Sequence, residues 1–172
     1  MIARFNIYFN ADQKMQSALA DLALKQKDDF SDFISIYPYG SQEDAKALRP
    51  AMEEVMKKAS KVIQNKPRSK WADDAYFLIG KTQFFSGDYF SSIETFQFVN
   101  TSYTDEYIKA LSQLWLMKSY IQQGKYDDAE AIYSVLKDNT SSNKDFKTNL
   151  YLSAGDLFVK QNKKSEAINL LN

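Results

Sequence analysis

The chain has 172 residues, enough to bury a substantial hydrophobic core. Its 22 basic and 22 acidic residues give a formal net charge of zero, so no global field favours nucleic acid or an anionic membrane surface. The absence of cysteine and histidine excludes disulfides and thiolate or imidazole nucleophiles, and removes the ligands that zinc prefers. Because no nucleotide-binding glycine motif occurs either, we expect a protein that is not an enzyme and needs no metal or cofactor.

Two helices are predicted before any repeated sequence begins. Apolar residues at helical spacing predict the first over about residues 3–28, and Pro38 then marks a loop. The run that begins at Ser41 resembles a capping box for the second helix. Pro50 predicts a break or kink, and a regular apolar stripe from Met52 onward predicts an amphipathic helix.

One phrase then recurs along the rest of the chain. The stretches FSGDYFSSIETF, QQGKYDDAEAIY and KQNKKSEAINLL are related by shifts of 37 and 38 residues, with Gly87, Gly124 and Asn162 at the shared turn position. A left-handed residue there ends one helix before the next begins, so each copy predicts a helical hairpin. The predicted helix pairs are 70–86 with 88–100, 105–123 with 126–138, and 144–161 with 163–172.

The repeat resembles the tetratricopeptide type, in which small residues stand where paired helices approach closely. The residues at those places are Gly80, Ser92, Ala129, Gly155 and Ala167. Met117 departs from the pattern by replacing a small residue, and Thr104 replaces the usual closing proline. Because such a hairpin cannot bury its apolar face alone, we predict an all-α fold of stacked hairpins, an α-α superhelix of about eight helices.

We expect these helices to form a single domain over residues 1–172. It comprises N-terminal helices and a loop (1–66) followed by three repeat hairpins (67–172), the last one incomplete. Both ends of the sequence look like boundaries within a longer protein.

Two lysines at equivalent repeat positions are the candidate binding residues. Lys81 and Lys118 lie on the first helices of successive hairpins, where peptide-binding tetratricopeptide domains can hold a carboxylate in a concave groove. The alternative is that the lysines are solvated and the aromatic residues belong to the core, and Asp156 at the third equivalent position weakens a uniform anion groove. The candidate groove residues are Phe77, Lys81, Phe84, Phe85, Leu114, Lys118 and Ile121.

Other charged groups favour structural roles. Paired carboxylates at Asp28-Asp29, Asp73-Asp74 and Asp127-Asp128 could serve metal binding or acid–base chemistry, but each pair lies near a predicted helix start, where the helix dipole favours negative charge. The basic run from Lys57 to Lys70 could contact phosphate, although a solvated helix end is the favoured interpretation.

The N-terminal sequence carries a more specific resemblance. The stretches ARFNIYFNADQK and DDFSDFISIYPYG are followed by the phrase from Ser60 to Lys81, which contains SKVIQ and WADDAYFLIGK. In this order they resemble the N-terminal part of the SprE/PorW tetratricopeptide lipoproteins of Bacteroidetes. The likeness covers roughly residues 3–100, and the later hairpins match only as generic repeats.

The resemblance implies a non-catalytic scaffold that links components of the type IX secretion and gliding-motility machinery by protein–protein contact. It implies an outer-membrane lipoprotein that faces the periplasm and touches the membrane only through a lipid anchor, whose cysteine this sequence lacks. Two alternatives stay open: a BamD-like outer-membrane assembly lipoprotein, and a peptide-binding receptor of the generic tetratricopeptide kind.

Overall fold

The computed structural model describes residues 2–25, 37, 41–65, 71–138 and 143–171, and all regular secondary structure in these ranges is helical. Eight helices lie in the described ranges: α1 (Ile2–Lys25), α2 (Gln42–Asn65), α3 (Ala72–Phe85), α4 (Tyr89–Ser102), α5 (Glu106–Gln122), α6 (Tyr126–Asp138), α7 (Lys144–Lys160) and α8 (Lys164–Leu171). The all-α prediction is confirmed, and the six repeat helices match their predicted bounds within two residues at each end.

The helices stack in two rows. Each helix packs against the next in sequence, and α1, α3, α5 and α7 also contact one another in that order. No even-numbered helix packs against another even-numbered helix within the described ranges. The odd-numbered helices therefore form one continuous row, hereafter the odd-helix row, and α1 and α2 extend the stacking before the three repeat hairpins.

The three repeat turns share one hydrogen-bonding pattern. Gly87, Gly124 and Asn162 adopt φ values of 80°, 74° and 61°. At the first turn, the Gly87 N–H donates to the Phe84 carbonyl at 3.0 Å, and the Asp88 N–H donates to the Gln83 carbonyl at 2.9 Å. Equivalent bonds close the other two turns. This is the Schellman arrangement, and it confirms the predicted left-handed turn position.

Gly124 allows a test of why the repeat turn needs a residue that tolerates a left-handed backbone. A Cβ added there would meet no atom within 4 Å, so a substitution is opposed by its left-handed backbone alone. We expect Gly124→Ala to lower the free energy of unfolding by about 1 kcal/mol. Gly124→Asn should lower the free energy of unfolding by only a few tenths of the loss expected for alanine, because asparagine tolerates the left-handed conformation and Asn162 adopts it at the third turn. Urea denaturation of both variants checks the order, and equal losses would contradict it.

The second helix corrects one sequence expectation. α2 begins after Ser41, whose hydroxyl accepts from the Asp44 N–H at 3.0 Å while the Asp44 carboxylate accepts from the Ser41 N–H at 3.2 Å, as in a capping box. The helix does not break at Pro50 but continues to Asn65. Pro50 lies on the exposed side, and the buried side chains of Leu48 and Met52 flank it, so their burial offsets the lost backbone hydrogen bond.

The core is divided among the hairpins. One cluster joins α1 and α2 to α3 and includes Met15, Met52 and Phe84. A second joins α5, α6 and α7 around side chains such as Leu114 and Leu157. A smaller cluster between them centres on Phe96, which is fully buried. The stacking of hairpins thus buries the faces that no single hairpin can cover.

Candidate functional site

Two lysines and a tryptophan meet on the odd-helix row. The Lys81 Nζ on α3 lies 5.4 Å from the ring centroid of Trp115 on α5, and the Lys118 Nζ lies 4.7 Å from the same ring. Lys81 also lies over Phe77 at 5.9 Å. We call Lys81, Trp115 and Lys118 the lysine–tryptophan cluster. Cation–π attraction accounts for this geometry, because the tryptophan face carries the negative end of the ring quadrupole.

Both ammonium groups are largely removed from water. Lys118 is 5% exposed. Burial, with a smaller contribution from repulsion by Lys81, lowers the pKa of the Lys118 ammonium group to about 8. Burial also lowers the pKa of Lys81, against a weaker opposing attraction from Asp12. No carboxylate in the described ranges forms an ion pair with either lysine. The cluster is therefore a desolvated pair of cations, held chiefly by aromatic faces.

Tyr37 completes this arrangement from the segment between α1 and α2. Its ring centroid lies 4.6 Å from the Lys118 Nζ, so the ammonium group contacts both Tyr37 and Trp115. Its hydroxyl lies 2.7 Å from the Ser153 Oγ on α7 and donates to the Asn149 carbonyl at 3.4 Å. Burial raises the pKa of Tyr37 to about 12, so the phenol stays neutral and remains a hydrogen-bond donor near neutral pH.

A chain of buried hydroxyl groups ties the surrounding helices together. The Ser92 hydroxyl donates to the Gly80 carbonyl at 3.1 Å and lies 3.0 Å from the Ser119 hydroxyl. Ser119 in turn donates to the Trp115 carbonyl at 2.8 Å. The Ser92 bond joins α4 to α3, and the contact between the two hydroxyls brings α4 against α5 beside the Trp115 carbonyl. The lack of a side chain at Gly80 makes the close approach of α3 and α4 sterically possible.

The seven groove candidates divide into two sets. Lys81 and Lys118 meet at Trp115, and Phe77, Phe84 and Phe85 lie near them, the last two with ring centroids 5.2 and 5.4 Å from that of Trp115. All three phenylalanines are buried, however, and support the cluster from within the core. The other two, Leu114 and Ile121, are buried in the separate cluster of α5, α6 and α7. Lys118 is buried and Lys81 is half-buried, in contrast to the solvated lysines of the alternative weighed from the sequence, whereas the core position of the aromatic residues agrees with that alternative.

The paired carboxylates lie where the sequence indicated. Asp73 and Asp74 occupy the first turn of α3, and Asp127 and Asp128 occupy that of α6, which confirms their helix-start positions. Burial, with repulsion from Asp73 and Asp105, raises the pKa of Asp74 to about 6. No group of three or more potential metal-binding side chains occurs in the described ranges. Asp28-Asp29 and the C-terminal part of the basic run lie outside the described residues.

A separate groove of about 380 Å³ lies between α1 and α2. Its floor is apolar, with Ala18, Leu22 and Ala51, and charged side chains such as Lys14 and Glu54 line its rim. The Lys14 and Glu54 side chains form an exposed ion pair at 3.4 Å. The groove does not adjoin the lysine–tryptophan cluster. Among the described helices none is long and apolar enough to span a bilayer.

Sequence reasoning missed three members of the site. Trp115 precedes Lys118 by nearly one helical turn, so its spacing on a common helix face could have indicated the contact. Ser153 carries no such signal, because many buried serines stand at helix contacts. Tyr37 could not have been assigned, since it comes from the long connection between α1 and α2 and reaches α5 and α7 only through the tertiary structure.

Comparison with known families supports the architecture. The family model described as "Tetratricopeptide repeat-like domain" matches residues 38–170, more than three quarters of the chain. The match takes in α2 to α7 and all but the last residue of α8, and it leaves α1 outside. No curated protein matches the chain.

Proposed function

Because the chain belongs to the tetratricopeptide repeat-like domain family, we propose that it is a non-catalytic scaffold that binds protein partners through its helical-hairpin surfaces. The observation that carries this proposal is the odd-helix row, whose two middle helices, α3 and α5, carry a desolvated lysine pair supported by the core. Stacked helical hairpins generally present extended surfaces for protein binding, and their side chains decide the partner.

We further propose that the partners are components of the type IX secretion and gliding-motility machinery. The support is the resemblance of the opening sequence and of the phrase from Ser60 to Lys81 to the SprE/PorW lipoproteins. On this proposal the full-length protein is held by a lipid anchor at the periplasmic face of the outer membrane. The phrase from Ser60 to Lys81, which carries the most specific likeness, includes the last turns of α2 and about the first two-thirds of α3.

A cross-linking pull-down of the full-length lipoprotein from its native membrane tests both statements. We expect components of the secretion machinery to be recovered after cross-linking and denaturing washes. Recovery of outer-membrane assembly components in their place would favour the BamD-like alternative. Recovery of no protein above an unlinked control would contradict the scaffold proposal itself.

Paired substitutions separate a scaffold from a carboxylate-capturing receptor. A receptor that holds a terminal carboxylate needs both charges, so Lys81→Met with Lys118→Met should abolish its partner binding. A scaffold that uses several surfaces should keep most of its recovered partners. Charge reversal to glutamate is the stronger variant, but it buries an anion at Lys118, so circular dichroism must first show that the variant folds.

Exposed lysines provide the matched control. Lys137 on α6 and Lys144 on α7 lie outside the lysine–tryptophan cluster. Their double methionine variant removes the same net charge without touching the cluster. Loss of partners in this control as well would show a general charge effect, which supports neither a carboxylate-capturing receptor nor a specific surface.

A further inference from the structure

The contacts of Tyr37 have the features of an occupied binding site. We define the Tyr37 site as Trp115 and Lys118 on α5 together with Asn149 and Ser153 on α7. The site contacts both ends of the tyrosine: a cation lies 4.6 Å from the ring centroid, and hydrogen-bonding groups lie 2.7 and 3.4 Å from the hydroxyl. Tyr37 itself comes from neither helix.

The Tyr37 site is formed by two helices whose positions are held by contacts that do not involve Tyr37. Lys118 lies over Trp115 at 4.7 Å, and Ser153 donates to the Asn149 carbonyl at 2.7 Å within α7. α5 and α7 pack through the apolar cluster that includes Leu114 and Leu157. Since these contacts do not need Tyr37, we expect the groups that bind its ring and hydroxyl to keep their places without it.

We propose that the Tyr37 site is a recognition site for a tyrosine side chain of a partner protein, and that Tyr37 occupies it in this chain as an internal ligand. A partner segment must then displace Tyr37 before it binds. This proposal rests on the proposed scaffold function in one respect: the tyrosine that binds is taken to belong to a protein.

The chemistry at the hydroxyl end favours a neutral phenol over an anion. The Ser153 hydroxyl gives its one proton to the Asn149 carbonyl at 2.7 Å, so the proton in its 2.7 Å contact with Tyr37 must come from the phenol, and an anionic oxygen has none to give. The carboxylate of Asp156 on α7 acts on both Tyr37 and Lys118 and would repel a second negative charge. A phenol shares its one proton between the Ser153 hydroxyl and the Asn149 carbonyl and offers its ring face to Lys118. A terminal carboxylate or a phosphorylated tyrosine lacks this match.

The chain's own sequence supplies the probe for a direct test. The peptide SDFISIYPYGS, residues 31–41, is titrated into the full-length Tyr37→Ala chain while the amide signals of Lys118 and Ser153 are followed by nuclear magnetic resonance. We expect saturable shifts at both residues. The wild-type chain should bind the peptide at least about tenfold more weakly, because an internal ligand that fills nine sites in ten reduces the apparent affinity by that factor.

Matched peptides identify the group that is recognised. Replacing Tyr37 by alanine in the peptide should remove the shifts, whereas replacing Tyr39 by alanine should leave them. Replacing Tyr37 by phenylalanine should weaken binding about fivefold, the usual effect of one lost hydrogen bond. Equal binding of the tyrosine and alanine peptides would overturn the proposal, and so would the absence of binding to a folded Tyr37→Ala chain.

A milder variant keeps the test decisive if Tyr37→Ala does not fold. Tyr37→Phe retains the ring over Lys118 and loses only the hydroxyl contacts, so the wild-type peptide should bind this chain about fivefold more tightly than the wild-type chain. Equal affinity for the two chains would overturn the proposal. Partner recovery in the cross-linking experiment is a separate readout, so failure of the peptide test alone removes the tyrosine site and leaves the scaffold proposal standing.

Discussion

Gly80→Leu is expected to lower the free energy of unfolding by about 2–3 kcal/mol, because a side chain at this position overpacks the contact between α3 and α4. A Cβ at Gly80 would lie 2.7 Å from two ring atoms of Phe96. The Phe96 ring cannot move away cheaply, since it is fully buried with Phe77 at 5.7 Å and Trp115 at 6.2 Å between centroids. Urea denaturation followed by circular dichroism measures the loss.

A double-mutant cycle shows whether Phe96 is the cause. Gly80→Ala introduces only the Cβ, and Phe96→Leu removes the ring that it would meet. We expect the double variant to be more stable than the sum of the two single losses predicts, by about 1 kcal/mol or more. Strict additivity of the two losses would show that the Gly80 position is limited by something other than the Phe96 ring.

Lys118→Met is expected to raise the free energy of unfolding by about 1–2 kcal/mol at pH 7, because methionine fills a similar volume without a buried charge. The gain is smaller than the full burial cost of the ammonium group, since the variant also loses the attraction to Trp115 and Tyr37, worth up to about 2 kcal/mol. Thermal and urea denaturation at pH 7 measure the difference from the wild-type chain.

The pH dependence of this difference follows from the lowered pKa of Lys118. The pKa is about 8 in the folded chain and near its ordinary value of 10.5 in the unfolded chain. Between these values the unfolded state binds more protons, so the stability contributed by this residue rises with pH. The cost of the buried charge is therefore fully present below pH 8 and is lost towards pH 10.5, and the advantage of Lys118→Met should shrink over that interval.

Lys137→Met is the matched control for this prediction. Lys137 is exposed and lies 6.0 Å from the Tyr133 ring, so it has an aromatic neighbour without the burial. Its replacement should change the free energy of unfolding by less than about 0.5 kcal/mol at either pH. A destabilised Lys118→Met variant with no pH-dependent difference would mean that the aromatic contacts outweigh the cost of burial.

The stability cost that we expect for Lys118 at pH 7 favours a binding role for the lysine–tryptophan cluster. Binding sites commonly retain groups that are poorly suited to the core, and proteins offset their cost elsewhere. On the expected result Lys118 is such a group, and Phe84 and Phe85 pack against the Trp115 that supports it. The same residue therefore links the stability prediction to the proposed recognition of tyrosine.

The repeat turns were predictable because their cause is local. Gly87 and Gly124 are needed where the backbone turns left-handed, and a residue type that tolerates this conformation is visible in the sequence. The close approach of α3 and α4 at Gly80 was predictable from the repeat, because its period places a small residue opposite a large one. At Pro50 the local rule failed, because burial of the flanking side chains outweighed the preference of proline for a helix start.

The sequence by itself determined the helices, their pairing into hairpins and the positions of Lys81 and Lys118, since helical period and turn chemistry act over a few residues. Only the tertiary structure decided that these lysines meet at Trp115, with Lys118 buried and Lys81 half-buried, and that Tyr37 lies over Lys118. The reason is distance along the chain: Tyr37 and Ser153 are 116 residues apart, and no local preference relates them. Their contact exists because the stacked hairpins bring α5 and α7 together and leave room for a phenol beside them.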